Sequence, residues 1–519
     1  MRFSILILAT LGLMAAPMSA GEKNGDAVLN VRDFGAVGDG QVHLVREWVE
    51  AGRYRNLDAL RRDYSAVDSL DWSVDEAAFE RAKSRLPLIG GTIYFPAGHY
   101  VAARQAWTIK RDRVTLRGDG ADKTILSTVP KVPDGLVLAG YRHVGWLESA
   151  EQAYPFSAES GARGSDVVRL NLAEWAREFE PGELVFIRNG AAKFDQDYGE
   201  FNEVAAVGAA GELQFKYPFA RDYTLPQVNW AGETADAFTM PKVNEAVEVK
   251  IRRGEGFHQP SHYTSITIGE EIFRVLKAKE GWLTLRNPGR GNSPAGTVVP
   301  AGARIAKSRA VIRLTQSTRD FAAEGLQIVG RRKVLNLSNS YRMRFTDCVF
   351  VRDASAGDHR GGVTIDGDDG RFAVFERCTV RATPAATMQF ARSFGGVTFR
   401  DCHFVDASVV FTEFNFDCAV EQCAFDVESR GLDHVIVVGN SGGDLRVLNN
   451  RIVLHAPVKA VFDAITDIHS QRHGGEGPTI IRGNQIESAA KVRIFGLGFS
   501  SETEIEGNTR NGKAVTRKQ

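Results

Sequence analysis

Toward the C-terminus the chain repeats one short pattern: an apolar residue, two mostly polar ones, and a Cys or Asn. The copies are Phe345-Thr346-Asp347-Cys348, Phe375-Glu376-Arg377-Cys378, Phe399-Arg400-Asp401-Cys402, Val420-Glu421-Gln422-Cys423, Val447-Leu448-Asn449-Asn450, Ile481-Arg482-Gly483-Asn484 and Ile505-Glu506-Gly507-Asn508. Counted between their closing residues, the steps are 30, 24, 21, 27, 34 and 24. Self-similarity at this spacing is the signature of stacked repeats. Around the copies the chain alternates in twos and is rich in β-branched and aromatic residues, as in Gly396-Val397-Thr398-Phe399, which predicts strands rather than helix pairs.

A coil built from short strands leaves one side apolar until a neighbour covers it, so the coils must stack. The expected fold is therefore all-β, a parallel β-helix, with a Greek-key sandwich of similar strand lengths as the alternative. The closing Cys or Asn is expected at a repeated bend, where Asn tolerates the left-handed conformation and can hydrogen-bond along a column. Residues 165–310 break the coil pattern with turn-and-strand segments such as 179–187 and 282–285, which predict two copies of an inserted antiparallel unit. The division is then a leader over 1–20, a cap and first coils over 21–164, the insertion over 165–310, the main coils over 311–510 and a tail over 511–519.

The leader expectation comes from Arg2, the apolar run 5–16 and Pro17-Met18-Ser19-Ala20, the order of a secretory signal. It places the mature protein in the periplasm or outside the cell, with no membrane span after the leader. Lys plus Arg and Asp plus Glu number 64 each, which lacks the basic footprint of a nucleic-acid binder. An exported chain with five Cys invites a disulfide reading. Four of them share one position of successive coils, however, and strand spacing of about 4.8 Å exceeds the roughly 3.8 Å between Cβ atoms that a disulfide prefers. Free, buried thiols are expected.

The segments Asp33-Phe34-Gly35-Ala36-Val37-Gly38-Asp39-Gly40, 90–100 (GGTIYFPAGHY) and 114–120 (VTLRGDG) occur in that order. Together they resemble the N-terminal region of the pectate lyase superfamily, which includes polygalacturonases, rhamnogalacturonases and mannuronan epimerase modules. The resemblance implies a right-handed parallel β-helix with a short N-terminal helical cap, acting on polysaccharide. It carries over no catalytic residue, because the Gly-His-Gly and Arg-Ile-Lys segments of polygalacturonases and the Asp-Pro-His-Glu segment of the epimerases are missing. Residues 41–70 depart from the family pattern. Their Trp48, Tyr54, Leu57, Leu60 and Tyr64 are read either as an added surface helix or as a wall of the substrate groove.

Chemistry is expected on the face formed by the first strand of each coil. With Ile365, Met388, Phe411, Val437 and Phe462 inward, Asp366, Gln389, Thr412 and Asp463 would point outward in one row. Asp366, Asp368, Asp369 and Glu413 are the catalytic candidates. Paired carboxylates can supply the acid and the base of glycoside hydrolysis, about 5–5.5 Å apart for retention and 6.5–9.5 Å for inversion. Asp366 is the candidate acid, with Asp368 or Asp369 the base. The rival chemistry is β-elimination on a uronate polymer, for which His359, Arg360, Arg392 and Tyr341 are the candidate neutralising and basic groups. A binding solenoid without catalysis is the third reading. Gln389, Asp195 and Asp197 complete the candidate substrate contacts. No cofactor is required, although Asp195 and Asp197 also suit an oxygen-ligand Ca²⁺ site.

Overall fold

A computed structural model of the chain describes residues 27–138, 153–157, 159–189, 198–224, 230–252, 265–269, 271–289, 292–306, 309–314, 317–354, 363–412, 415–428, 431–438, 444–455, 463–466, 478–489, 493–495 and 503–515. The leader, and with it the export expectation, lies outside these residues. The body is a parallel β-helix of about 12 turns. Its coils pass through three parallel sheets. Sheet 1 carries Trp107–Ile109, Leu136–Leu138, Leu335–Asn336 and then 363–368, 386–391 and 407–411. Sheet 2 runs through Val114–Gly118, Thr318–Glu324, Ser340–Thr346 and 370–376, and sheet 3 through Thr124–Thr128, Gln327–Gly330 and Val349–Asp353.

The repeated pattern is the corner between sheets 2 and 3, with one correction to its geometry. The left-handed residue is the one before the Cys or Asn: Asp347, Arg377, Asp401, Gln422, Asn449, Gly483 and Gly507 have φ between 52° and 69°. This frees the closing residue to turn inward, where it meets the backbone of the coil before it. Cys378 Sγ lies 3.4 Å from Phe345 O, and Asn484 Nδ2 donates to Val447 O at 2.9 Å and to Asn508 Oδ1 at 2.8 Å. Beside this column Phe375 stacks between Phe345 and Phe399, with centroids 4.7 and 4.6 Å away. All five Cys are free and buried. Burial pushes the Cys418 thiol up to about 12, which keeps it protonated and unreactive.

At the N-terminus the Asp33–Gly40 segment is held from the helix Val74–Arg85. Asp75, in the first turn of that helix, accepts from Val37 N at 2.7 Å, Gly38 N at 3.1 Å and Val101 N at 3.0 Å. Gly38 has φ 68°, and a Cβ there would stand 2.6 Å from the Tyr100 ring. The motif that carries the family resemblance is thus a cap tied down by a buried carboxylate. Residues 41–70 form two helices, Val45–Glu50 and Leu57–Asp63. Val45, Leu60 and Tyr64 are buried in a small core of their own, and Trp48 packs 5.0 Å from Tyr64. Packing within that unit accounts for these aromatics, as an added helical element and not a groove wall.

The insertion leaves the helix after Leu136–Leu138 of sheet 1 and returns at Thr318–Glu324 of sheet 2, so it occupies the first bend of a single coil. Its two units are not copies. One is an open six-stranded sheet that already includes Ala153–Pro155, paired to Ala310–Arg313. The other is a closed six-stranded barrel that includes Trp282–Arg286 and Glu271–Lys279. Two different hydrophobic cores fill them, which the short strand runs of the sequence do not distinguish.

Candidate functional site

Strand register fixes which side chains share the outer row of sheet 1. Thr108 pairs with Val137, Val137 with Asn336, Asn336 with Asp366, Asp366 with Gln389, Gln389 with Val410, Val410 with Val437 and Val437 with Thr466. The inner row beside it is Leu335, Ile365, Met388, Val409, Ile436 and Ile465, all fully buried in the core. Asp366 and Gln389 are neighbours as expected. Beyond them the expected register slips by two residues: Phe411 pairs with Phe390, so Val410 and not Thr412 continues the row. Val437 was expected inward and lies in the outer row, and Thr466 takes the place expected for Asp463. The slip arises because the strand begins at Ala407, earlier than its run of Val and Phe suggests.

The polar part of the row is therefore Asn336, Asp366 and Gln389, at the roughly 4.8 Å spacing of adjacent strands. Asp366 is largely buried, 8 % exposed, and its carboxylate forms an ion pair with the Lys333 ammonium. Lys333 stands just before the Leu335–Asn336 strand, one coil ahead of Asp366, and remains partly exposed, which gives the pair access to solvent. Its neighbour Arg332 is occupied by Asp134, Nε to Oδ1 at 3.0 Å and Nη2 to Oδ2 at 2.9 Å. The ammonium compensates the charge of a carboxylate that is mostly out of water.

Asp368 lies two residues along the same strand, so alternation returns it to the side of Asp366 at a Cα separation of about 6.5–7 Å. Gly367 between them faces the rings of Phe390 and Phe394. Asp369 is different. It has φ 51° and no exposed surface, at the bend into sheet 2, and is buried away from the row.

Tyr341 is also removed from the surface. It is fully buried with Phe186, Phe201 and Ile312 beneath the inserted sheet, and burial drives its hydroxyl far above the ordinary tyrosine range. A polysaccharide cannot reach it there. His359, Arg360, Glu413, Asp195 and Asp197 lie outside the described residues, and with the last two goes the Ca²⁺ expectation. Arg392 falls within the strand Thr379–Arg400, and its side chain is outside the description.

Sequence reasoning missed Lys333 and Asn336. The signal was present: Arg331-Arg332-Lys333 is a basic run just before Val334-Leu335-Asn336, and aligning Leu335-Asn336 with Ile365-Asp366 would have placed Asn336 in the row.

No family model matches the chain, and no curated protein matches it. Among solved structures it is similar to the tailspike gp61 of Pseudomonas phage phi297, at 14% identity over 94% of this chain and 73% of that one, with a TM-score of 0.47. It is also similar to the A-module of the mannuronan C-5 epimerase AlgE4 of Azotobacter vinelandii, at 13% identity over 94% of this chain and 100% of that one, TM-score 0.30. A third is PfbA, a surface adhesin of Streptococcus pneumoniae, at 9% identity over 95% and 96% of the two chains, TM-score 0.27. These are likenesses of fold.

Proposed function

We propose that the protein is an exported polysaccharide-degrading enzyme and that it hydrolyses glycosidic bonds at the outer row of sheet 1. The observation that carries this reading is the Lys333–Asp366 ion pair standing in a row of amide side chains, with Asp368 on the same side. Asp366 takes the role of base: its carboxylate, in contact with Lys333, draws a proton from the attacking water. Asp368 is the acid that protonates the departing glycosidic oxygen. This reverses the roles expected from sequence: the carboxylate already engaged as an acceptor, by Lys333, is given the role of base. With a water between them, carboxyl groups about 6.5–9.5 Å apart would give inversion at the anomeric carbon. Gln389 is the flanking group for sugar hydroxyls, while its row neighbour Asn336 is buried.

A second reading is favoured by the basic run 331–333: β-elimination, in which Lys333 neutralises the carboxylate of a uronate unit. Incubation with a panel of neutral and uronic polysaccharides separates the two. The hydrolase yields new reducing ends with no ultraviolet absorbance from unsaturated uronate. A rise in both signals replaces hydrolysis with elimination. Polymer retained on the protein with neither signal makes it a binding solenoid.

A further inference from the structure

The insertion meets the helix along sheet 2, and at that seam lies a cleft of about 800 Å³. Its floor comes from the helix through Asp112, Arg319 and Arg342, and its wall from the loop 180–184 and Arg313 of the inserted sheet. The volume falls within the roughly 300–1,000 Å³ of small-ligand sites. The cleft is separate from the sheet 1 row, which lies around the bend where the insertion enters and leaves.

The lining is made of matched charges. Arg319 Nε lies 2.7 Å from Asp112 Oδ2 and its Nη1 donates to Gly182 O at 2.8 Å. Arg313 pairs with Glu183, and Arg342 with Glu203 and, at 2.6 Å, with Asp320. These side chains are half-buried and held in fixed orientations across two units of the fold. Two lining charges stand apart: Arg113 and Glu180 are exposed at the rim and have no ion pair among the described residues. Four guanidinium groups thus face four carboxylates.

We propose that this cleft is a second glycan-binding site, for uncharged sugar units. A balanced lining offers no net attraction to an anion, which would meet a carboxylate beside each of Arg313, Arg319 and Arg342. It does offer closely spaced fixed donors and acceptors, and a sugar hydroxyl both donates and accepts. Pre-pairing keeps these groups ordered before binding, which lowers the entropy cost of taking up a flexible oligosaccharide. Arg113 and Glu180 close over the bound sugar from the rim. The proposal rests on the polysaccharide reading above.

The test is calorimetric titration of the full-length mature protein carrying Asp366→Asn, so that no probe is consumed. The probes are hexasaccharides of glucose, mannose, galactose and N-acetylglucosamine, with hexagalacturonate as the anionic comparison. At least one neutral probe should bind. Adding Arg113→Asn and Glu180→Gln should weaken it about tenfold or more. Asn suits the φ of 56° at position 113, so the melting temperature should hold. As a second arm, Ser317→Trp should block the cleft and abolish binding. The proposal is overturned if no neutral probe binds, if hexagalacturonate binds best, or if binding survives both sets of variants. Polysaccharide cleavage by the unmodified protein in any of those cases leaves the sheet 1 reading standing, whereas absence of both cleavage and binding removes both.

Discussion

Sheets 1 and 2 each bury an ion pair on their outer side, and the two pairs are built differently. On sheet 2, Arg371 meets Glu200 of the inserted sheet at 2.7 Å, with side chains 6% and 0% exposed. Glu200 also accepts from Ala220 N and the Tyr223 hydroxyl, each at 3.1 Å, and Arg371 donates to Phe201 O at 2.9 Å. On sheet 1 the Asp366 carboxylate has Lys333 as its only hydrogen-bonding partner among the described residues, and Lys333 keeps contact with solvent. A buried charge whose lone pairs are all engaged is an anchor. One that is buried yet left with acceptor capacity is ready to engage something else, and that difference separates the structural pair from the candidate catalytic one.

The anchor predicts the largest effect on stability. Glu200→Gln leaves Arg371 charged and uncompensated under the insertion, and should cost about 3–5 kcal/mol in denaturant unfolding. Replacing both partners with Met should cost less than either single change. Equal costs for all three would mean that the pair does not hold the insertion to the helix.

A third buried carboxylate sharpens the contrast, because it is held by backbone N–H groups without a cation. Glu76 accepts from Ala103, Arg104 and Gln105, yet burial raises it to about 7. The folded state therefore keeps a proton that the unfolded chain releases near its ordinary value. Stability should fall as pH rises from about 4.5 to about 7, by about 3 kcal/mol in all. Glu76→Gln should flatten that part of a melting profile, and an unchanged slope would assign it to other groups.

The neutral column gives the smaller effect. Asn484→Ala strands Asn450 N and Nδ2 and Val447 O inside the helix, and should cost about 2 kcal/mol. Asn484→Cys, which copies the residue used at this corner four coils running, should recover part of it. No recovery would mean that the coils demand Asn at this end for a reason other than filling the corner.

The helix was legible because its repeat is written in side chains that must face inward: Phe345, Phe375 and Phe399 recur at one corner and each is fully buried. The register of sheet 1 was legible only in part. Asp366 beside Gln389 follows from alternation within two strands, but Val409-Val410-Phe411 is apolar on both sides, so no pattern tells which residue faces in. Lys333 was hidden because it belongs to the turn before its strand, and its contact with Asp366 arises only when coils stack. The insertion was visible as an interruption. Its division into an open sheet and a closed barrel depends on long-range pairings such as Ala153–Pro155 with Ala310–Arg313, which leave no local mark.

The central claim is that Asp366 performs chemistry while Glu200 holds the fold, and the most direct measurement is the turnover of Asp366→Asn on a polysaccharide that the unmodified protein degrades. A carboxylate acting as base predicts a loss of about 10²–10⁴ in kcat with the melting temperature little changed. Turnover within a few-fold of the unmodified protein would contradict it and move the catalytic residues off the outer row of sheet 1.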